Sequence, residues 1–357
     1  MREYRGGICE VFGVDIEHVL QNEKLKKIAQ VKNRQDPNIK RVLKVCYKDE
    51  TEEGNVAASH FLTEVVLLAG LKHPFIMSME AVGSFPKYFG FVMPFYEQGT
   101  LTMALPMMTH ELRDEWLVQL CCGIKFLHDR GVAHRDLKTD NILLTSKNNV
   151  VIADFGLGNY ASSTGHLVTT IKGTYMYISP EQWISQKFDC FKCDLYALGV
   201  VYWCMFYKTN VIELQPKDPL LTIVSQTFND PAIDREILFC LLEEDPAKRF
   251  SVLSLINLLS DSERFDHRIK LLRVALRNYD NENTTDEKTI DEDKAMVKGS
   301  LSDFIWKLAA TFVAVIVLGV IVIAVWDLKS LNRMYNTFHS SSPESKPNQE
   351  DVIASEV

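Results

Sequence analysis

The sequence predicts an α+β protein in which a small antiparallel sheet with one helix precedes a mainly helical region and a single membrane-spanning helix. Three observations support this prediction. Strand-like and helix-like apolar patterns alternate up to about residue 261. A polar, acidic stretch follows, and after it Leu308–Trp326 is uncharged and largely apolar. Hydrophobic residues make up 46% of the chain, which is enough for a sizeable core.

Charge and cysteine usage narrow the classes of function. A net charge of -8 argues against nucleic acid as a partner, because phosphate binding requires clustered Lys and Arg. Most cysteines lie in apolar runs, and the Cys190/Cys193 pair has no second pair at zinc-site spacing. The N-terminus contains no apolar core of signal-peptide length. We therefore expect reduced thiols and a first domain that stays in the cytosol.

The C-terminal third is predicted to consist of three segments: an acidic tether at residues 262–307, a transmembrane helix at Leu308–Trp326 and a polar tail at residues 327–357. A helix of this length spans the ~30 Å hydrocarbon core of a bilayer. Trp306 and Trp326 lie at its ends, where indole rings favour the headgroup layer. The alternative is a buried core helix, but nothing downstream could pack against it. Membrane lipid is therefore an expected partner.

The orientation and compartment follow from the charges that flank this span. Lysines are slightly more frequent before it than after it, which places the N-terminal domain in the cytosol. A C-terminal span with a short tail is typical of insertion after synthesis. Because the flanking positive charges are sparse, we expect the endoplasmic reticulum or a secretory-pathway membrane rather than the mitochondrion.

Three motifs between Val132 and Glu181 carry the strongest functional signal. They are His134-Arg135-Asp136-Leu137-Lys138-Thr139-Asp140-Asn141, Asp154-Phe155-Gly156 and Ser179-Pro180-Glu181. In order and spacing they resemble the catalytic segment of the protein kinase family. The resemblance implies a two-lobed kinase fold at residues 13–261, with the N-lobe at about 13–93, a hinge at 94–96 and the C-lobe at 97–261. Residues 1–12 would be an N-terminal extension.

The resemblance also implies roles for the charged residues of these motifs. Asp136 would orient the acceptor hydroxyl or accept its proton, and Lys138 would neutralise charge on the moving phosphoryl group. Asn141 and Asp154 would hold Mg²⁺, a hard cation that prefers oxygen ligands. A turn and hairpin with incidental charges is the alternative. Both interpretations place Asn141 and Asp154 at the open ends of the same hairpin.

The N-terminal part supplies residues that resemble the nucleotide-binding groups of kinases. Lys44 ends a strand and Glu64 lies on the following amphipathic helix, as in the kinase pair that holds the α- and β-phosphates of ATP. Met93 matches the residue at the back of the adenine pocket, and Pro94 to Tyr96 match the hinge.

Further resemblances concern the support of the catalytic loop. Residues Leu117, Leu120, Cys121, Ile124 and Leu127 predict an amphipathic helix that leads into it. By resemblance, Asp194 would brace the loop backbone, and Arg249 would pair with Glu181.

The predicted nucleotide loop departs from the family pattern. Kinases cover the phosphates with a glycine-rich hairpin, but the matching positions here hold Gln21, Glu23 and Lys26. We assign Gln21, Lys24 and Ile28 to nucleotide binding, with the cations of Lys24, Lys26 and Lys27 as substitutes for backbone donors. A second-ranked alternative is a loop formed by the glycines between Gly6 and Gly13, which would require an inserted excursion.

Two functions therefore remain open. The first is a membrane-anchored serine/threonine kinase that uses ATP and Mg²⁺ to phosphorylate a protein substrate. The second is a pseudokinase that acts as a membrane-tethered regulatory module. A kinase for a small molecule or sugar is a remote third.

The catalytic segment points to the serine/threonine class and to regulation. Lys138 and Thr174 match serine/threonine kinases, and Thr139 stands where proline is common. Arg135 could pair with a phosphate placed on Thr169 or Thr170 by an upstream activating kinase, although a merely mobile Ser/Thr-rich loop is an equal alternative.

Overall fold

A computed structural model of the protein describes residues 7–160, 166–168, 174–185, 187–210 and 232–289. All of them fall within one compact unit, Met1–Ala295. No helix among the described residues is long and apolar enough to cross a bilayer. The transmembrane segment predicted at Leu308–Trp326 lies outside the described residues, as do Thr169 and Thr170.

The N-terminal lobe is a five-stranded antiparallel sheet with one long helix, as predicted. The strand order is β1-β2-β3-β5-β4. Its elements are β1 (Val14–Asn22), β2 (Lys26–Asn33), β3 (Lys40–Tyr47), α2 (Glu52–Gly70), β4 (Ala81–Ser84) and β5 (Tyr88–Pro94). Helix α2 begins where the Thr51 side chain accepts a hydrogen bond from the Gly54 amide.

Alternating side chains give the sheet two different faces. Leu43 and Val45 of β3 point to one face, where they form an apolar cluster with the short helix α1 (Ile8–Val11). Gly90 allows this close approach, because a Cβ there would lie 2.0 Å from Ile8. The N-terminal extension predicted at residues 1–12 therefore contributes core residues to the lobe. On the other face, Lys44 points towards α2.

The second lobe is mainly helical, as predicted. Its elements are α3 (Leu101–Ala104), α4 (His110–Asp129), β6 (Val132–Ala133), β7 (Ile142–Leu144), β8 (Val150–Ile152), β9 (Asn159–Tyr160), β10 (His166–Val168), α5 (Pro180–Ile184), β11 (Lys187–Asp189), α6 (Cys190–Tyr207), α7 (Ala232–Leu241), α8 (Val252–Ser260) and α9 (Glu263–Thr289). The five predicted apolar residues of α4 are all buried. Helix α6 is buried almost all round, which makes it the central helix of the lobe.

Helix α9 occupies residues for which the sequence predicted an acidic, flexible tether. Phe265, Ile269 and Leu272 recur at helical spacing and are at most 7% exposed, so the start of α9 packs onto α4 and α8. Arg264 adds ion pairs to Asp114 of α4 and Asp234 of α7. The folded domain thus continues beyond the predicted boundary at residue 261.

Candidate active site

The backbone of the catalytic loop is fixed by a buried carboxylate from α6. Asp194 Oδ2 accepts the His134 amide at 2.9 Å, and Oδ1 accepts the Arg135 amide at 2.8 Å. His128 Nε2 lies 3.0 Å from Oδ2. Burial opposes ionisation of Asp194, but these hydrogen bonds outweigh it and lower its pKa. They also hold Arg135 in the left-handed region, with φ of 67°. The predicted bracing contact is therefore present.

Asp136, the predicted catalytic carboxylate, lies at the centre of a hydrogen-bonded group. Lys138 Nζ donates to Asp136 Oδ2 at 2.8 Å and to Thr174 Oγ1 at 2.9 Å. Thr174 donates to Asp136 Oδ1 through its amide at 3.2 Å. Asn141 Nδ2 donates to Asp136 Oδ2 at 3.0 Å. Hydrogen bonds to both oxygens therefore fix the orientation of the Asp136 carboxylate, next to a lysine that can face an incoming phosphoryl group.

A second charged group links the two lobes through Lys44. Its Nζ lies 2.6 Å from Glu64 Oε2 on α2 and 3.2 Å from Asp154 Oδ1. Burial alone would lower the pKa of Lys44, but the two carboxylates raise it above its ordinary value. The Lys44 ammonium lowers the pKa of Asp154 to about 2, so this carboxylate is ionised at neutral pH. The predicted Lys44–Glu64 pair is formed.

The two predicted metal ligands lie at the open end of the β7–β8 hairpin. The Asn141 carbonyl accepts the Ala153 amide at 2.8 Å, which places Asp154 next to Asn141. Asp154 adopts a left-handed conformation with φ of 64°. Asn141 donates to Asp136 through Nδ2, so this contact leaves its Oδ1 available as a ligand beside the ionised, half-exposed Asp154. Two hard oxygen donors fit a Mg²⁺ ion that takes its other ligands from phosphate and water.

The predicted nucleotide loop is the hairpin between β1 and β2. No residue from Val14 to Asn33 is glycine, and none has a positive φ. Gln21 is exposed and contacts Glu23. Lys24 Nζ lies 3.8 Å from Glu53 of α2, and both side chains are largely exposed.

Two further predictions concern the nucleotide loop: the role of Ile28, and the alternative loop between Gly6 and Gly13. Ile28 lies directly opposite Lys44 in the β2–β3 register, as a residue above the nucleotide would. The alternative glycines lie elsewhere, because Gly7 precedes α1 and Gly13 connects α1 to β1.

The predicted adenine-pocket residues lie at the end of β5. Met93 is opposite Val42 in the sheet. Pro94 is the last residue of β5, opposite Arg41, so the strand extends one residue into the predicted hinge. The Tyr96 side chain is directed towards Ser78 and Glu80, and burial raises its pKa to about 12. Only the backbone of Tyr96 is therefore suited to face a nucleotide base.

Comparison with known proteins agrees with this arrangement. A family model described as protein kinase domain matches residues 25–258, more than half of the chain. The chain belongs to the protein kinase family. CBL-interacting serine/threonine-protein kinase 18 of Arabidopsis thaliana is 31% identical over 185 residues, or 49% of this chain and 35% of that kinase. Serine/threonine-protein kinase Nek1 of Mus musculus is 33% identical over 210 residues, or 54% of this chain and 17% of that kinase. The chain thus matches little more than a third of the first relative and less than a fifth of the second.

The kinase domain also contains the predicted structural ion pair of its C-lobe. Arg249 Nη1 and Nη2 donate to the two oxygens of Glu181 at 2.6 Å and 2.9 Å. Both residues are buried, and burial opposes the ionised form of Glu181, but Arg249 lowers its pKa. This bidentate pair fixes the first turn of α5 to the loop before α8.

One functional residue of the kinase domain was not identified from the sequence. Thr139 is fully buried, and its Oγ1 lies 2.7 Å from Thr102 Oγ1 of α3 and 3.1 Å from the Tyr177 hydroxyl. Proline, which is common at this position in kinases, has no hydroxyl to offer. The departure from proline was visible in the sequence, but both partners of Thr139 lie more than 30 residues away.

Proposed function

We propose that this protein is a serine/threonine kinase that transfers the γ-phosphoryl group of ATP, with Mg²⁺, to a hydroxyl group of a protein substrate. The observation that carries the proposal is the Lys138 ammonium, which contacts Asp136 and Thr174 together. This arrangement orients a carboxylate towards the acceptor hydroxyl and places a cation beside the transferred group. The relatives are named serine/threonine kinases, which supports the same substrate class.

Each step of the reaction then has a residue in place. Lys44, held by Glu64, would contact the α- and β-phosphates, and Asn141 and Asp154 would hold the Mg²⁺ ion that neutralises phosphate charge. Asp136 accepts the proton of the substrate hydroxyl as that oxygen attacks. Lys138 stabilises the negative charge on the phosphoryl group during transfer.

Transfer from labelled ATP to a library of Ser-, Thr- and Tyr-containing peptides tests this proposal. We expect label on serine and threonine, and its loss in the Lys138→Met variant. Label on tyrosine alone would contradict the substrate class. Nucleotide binding without transfer to any peptide or to the chain itself would favour the pseudokinase, the second candidate. The glycine-free hairpin is the observation that favours it.

We further propose that Leu308–Trp326 anchors the kinase in the membrane of the endoplasmic reticulum or secretory pathway, with the kinase domain in the cytosol. The apolar sequence of this segment supports the proposal. Deleting Leu308–Trp326 should move the protein into the soluble fraction with a cytosolic marker. An unchanged membrane fraction would contradict the anchor.

We also propose activation by an upstream kinase that phosphorylates Thr169 or Thr170, whose phosphate would pair with Arg135. The position of both threonines shortly before Gly173 and Thr174 supports this role. The Thr169→Ala, Thr170→Ala double variant should have a lower transfer rate. An equal rate would contradict the proposal.

A further inference from the structure

The β1–β2 hairpin raises the question of what contacts the nucleotide phosphates in place of glycine amides. Glycine loops bind phosphates because their backbone takes conformations that free N–H groups for the ligand. In this hairpin no residue has a positive φ, and the Glu23 amide donates to the Lys26 carbonyl at 2.9 Å. The turn is therefore an ordinary hairpin connection, and phosphate contacts have to come from side chains.

The strand register determines which lysines of the hairpin face the site. Lys26 is opposite Cys46, and Ile28 is opposite Lys44, in the antiparallel pair of β2 and β3. Side chains of opposite residues share a face, and alternate residues of one strand share it too. Lys26 therefore lies on the face of Lys44, diagonally across from it, within reach of a long side chain.

The neighbouring Lys27 has the opposite orientation. Together with Leu43 and Val45 it lines a cavity on the other face of the sheet. Its Nζ lies 5.1 Å from the centre of the Tyr47 ring. The side chains of Lys26 and Lys27 therefore lie on opposite faces of the sheet. Of the two, only Lys26 is on the face where Lys44 contacts Asp154.

Lys26 also lacks a contact that would account for its position. It is half-buried, and no hydrogen bond or ion pair within 4.0 Å satisfies its ammonium group among the described residues. By the β2–β3 register, its charge lies on the same face of the sheet as Lys44, which contacts Glu64 and Asp154.

We propose that Lys26 is a polyphosphate-binding residue of the nucleotide site, whose ammonium group replaces the backbone donors of a glycine loop. The inference rests on the proposed function and adds a specific residue to it. Lys26 occupies one of the positions where the family has glycine. A lysine at this position removes the backbone contacts that glycine allows, but it supplies a side-chain cation in their place. The ligand class is a nucleoside triphosphate, and adenosine alone would gain nothing from this residue.

The test compares ATP and adenosine affinities of the full-length chain, measured by calorimetry with Mg²⁺. Lys26→Gln should weaken ATP binding by about 10- to 100-fold, the loss of one charge-assisted hydrogen bond, and leave adenosine binding unchanged. Lys26→Arg should retain ATP binding to within about threefold, since it keeps the charge. Lys27→Gln is the matched control, with the same change in net charge on the opposite face, and should bind ATP as the unaltered chain does.

Three results would overturn the inference. One is unchanged ATP affinity in Lys26→Gln. Another is an equal loss in Lys26→Gln and Lys27→Gln, which would indicate a general charge effect. The third is a parallel loss of adenosine binding, which would indicate a collapsed hairpin. If the unaltered chain does not bind Mg²⁺-ATP, the proposed function itself is wrong. If the unaltered chain binds and Lys26→Gln binds equally well, only the inference about Lys26 is wrong.

Discussion

The catalytic loop and the β1–β2 hairpin contribute to the same site but are supported differently. The loop is held by Asp194 beneath it, by Thr174 beside it and by Thr139 on its helical turn. The tip of the hairpin is exposed from Gln21 to Lys24. In the proposed function, phosphoryl transfer depends on groups that these contacts already orient, whereas phosphate recognition depends on long side chains of the hairpin. Substitutions in the two regions should differ accordingly.

The largest effect is expected from Asp136→Asn, which breaks the pre-oriented group. The amide keeps the shape of the carboxylate but cannot accept the substrate proton, so kcat should fall by about 10²- to 10⁴-fold. The affinity for Mg²⁺-ATP should stay the same, because Asp136 makes no proposed nucleotide contact. Steady-state kinetics together with calorimetry separate the two quantities. A loss of affinity with an unaltered kcat would contradict the assigned role.

Arg264→Ala tests whether α9 is an integral part of the C-lobe. Arg264 Nε donates to Asp114 at 2.7 Å and Nη1 to Asp234 at 2.6 Å. Among the described residues, its removal leaves two buried carboxylates with Arg113 as their cation and the Tyr202 hydroxyl as a further donor to Asp234, so the free energy of unfolding should fall by about 3 kcal/mol. Denaturant unfolding measures it.

Arg268→Ala is the matched control for Arg264→Ala. Arg268 lies one turn further along α9 and is 4.0 Å from a more exposed Glu115, so its loss should cost less than about 1 kcal/mol. Equal effects of the two substitutions would contradict the role assigned to Arg264.

Thr139→Val tests the hydroxyl contacts that link the catalytic loop to Thr102 of α3 and to Tyr177. Valine keeps the shape but leaves the half-buried Thr102 hydroxyl and the buried Tyr177 hydroxyl without this partner, which should cost about 1–2 kcal/mol of stability. We expect kcat to fall with little change in the KM for ATP. Thr139→Ser should restore kcat, and a serine variant as slow as valine would rule out the hydroxyl as the cause.

A further effect concerns pH and His73, in the segment between α2 and β4. Its Nδ1 accepts the Phe75 amide at 3.3 Å, which requires the neutral ring. Burial, assisted by Arg130, lowers the pKa of His73 to about 4. The unfolded chain, with a pKa of about 6.5, therefore binds this proton more tightly. The contribution of His73 to stability is full above pH ~6.5 and is lost as the pH falls towards 4.

The measurement compares the unaltered chain with His73→Asn at pH 7 and pH 5. The difference in their unfolding free energies should shrink by up to about 2 kcal/mol at the lower pH. A difference that is constant with pH would show that His73 does not titrate in this way.

Much of this site was predictable because its residues are set by short motifs. Spacing and resemblance led to the contacts of Lys44 with Glu64, Asp194 with the loop backbone, and Arg249 with Glu181. The antiparallel sheet and the helical lobe followed from apolar periodicity. The sheet and the helical lobe depend on local sequence patterns, and the residue pairs join positions that belong to recognised motifs.

The features that were not predicted depend on tertiary contacts. Helix α1 has four residues, too few for a helical period, and is stabilised by burying Ile8 and Cys9 against the sheet. Helix α9 was missed because the acidic residues from Asp280 onward indicated a tether, although the spacing of Phe265, Ile269 and Leu272 was a signal for a helix. In the same way, the sequence offered three lysines in the hairpin, but the β2–β3 register is needed to show that Lys26 and Lys27 lie on opposite faces.

Binding of Mg²⁺-ATP to the full-length chain tests the central claim most directly. The claim is that a glycine-free hairpin still completes a working nucleotide site. Calorimetry should detect binding in the unaltered chain and lose it in Asp154→Ala, which removes a proposed metal ligand and one of the two carboxylate partners of Lys44. Absence of binding at millimolar nucleotide, or equal binding in the variant, would contradict the account and favour a pseudokinase.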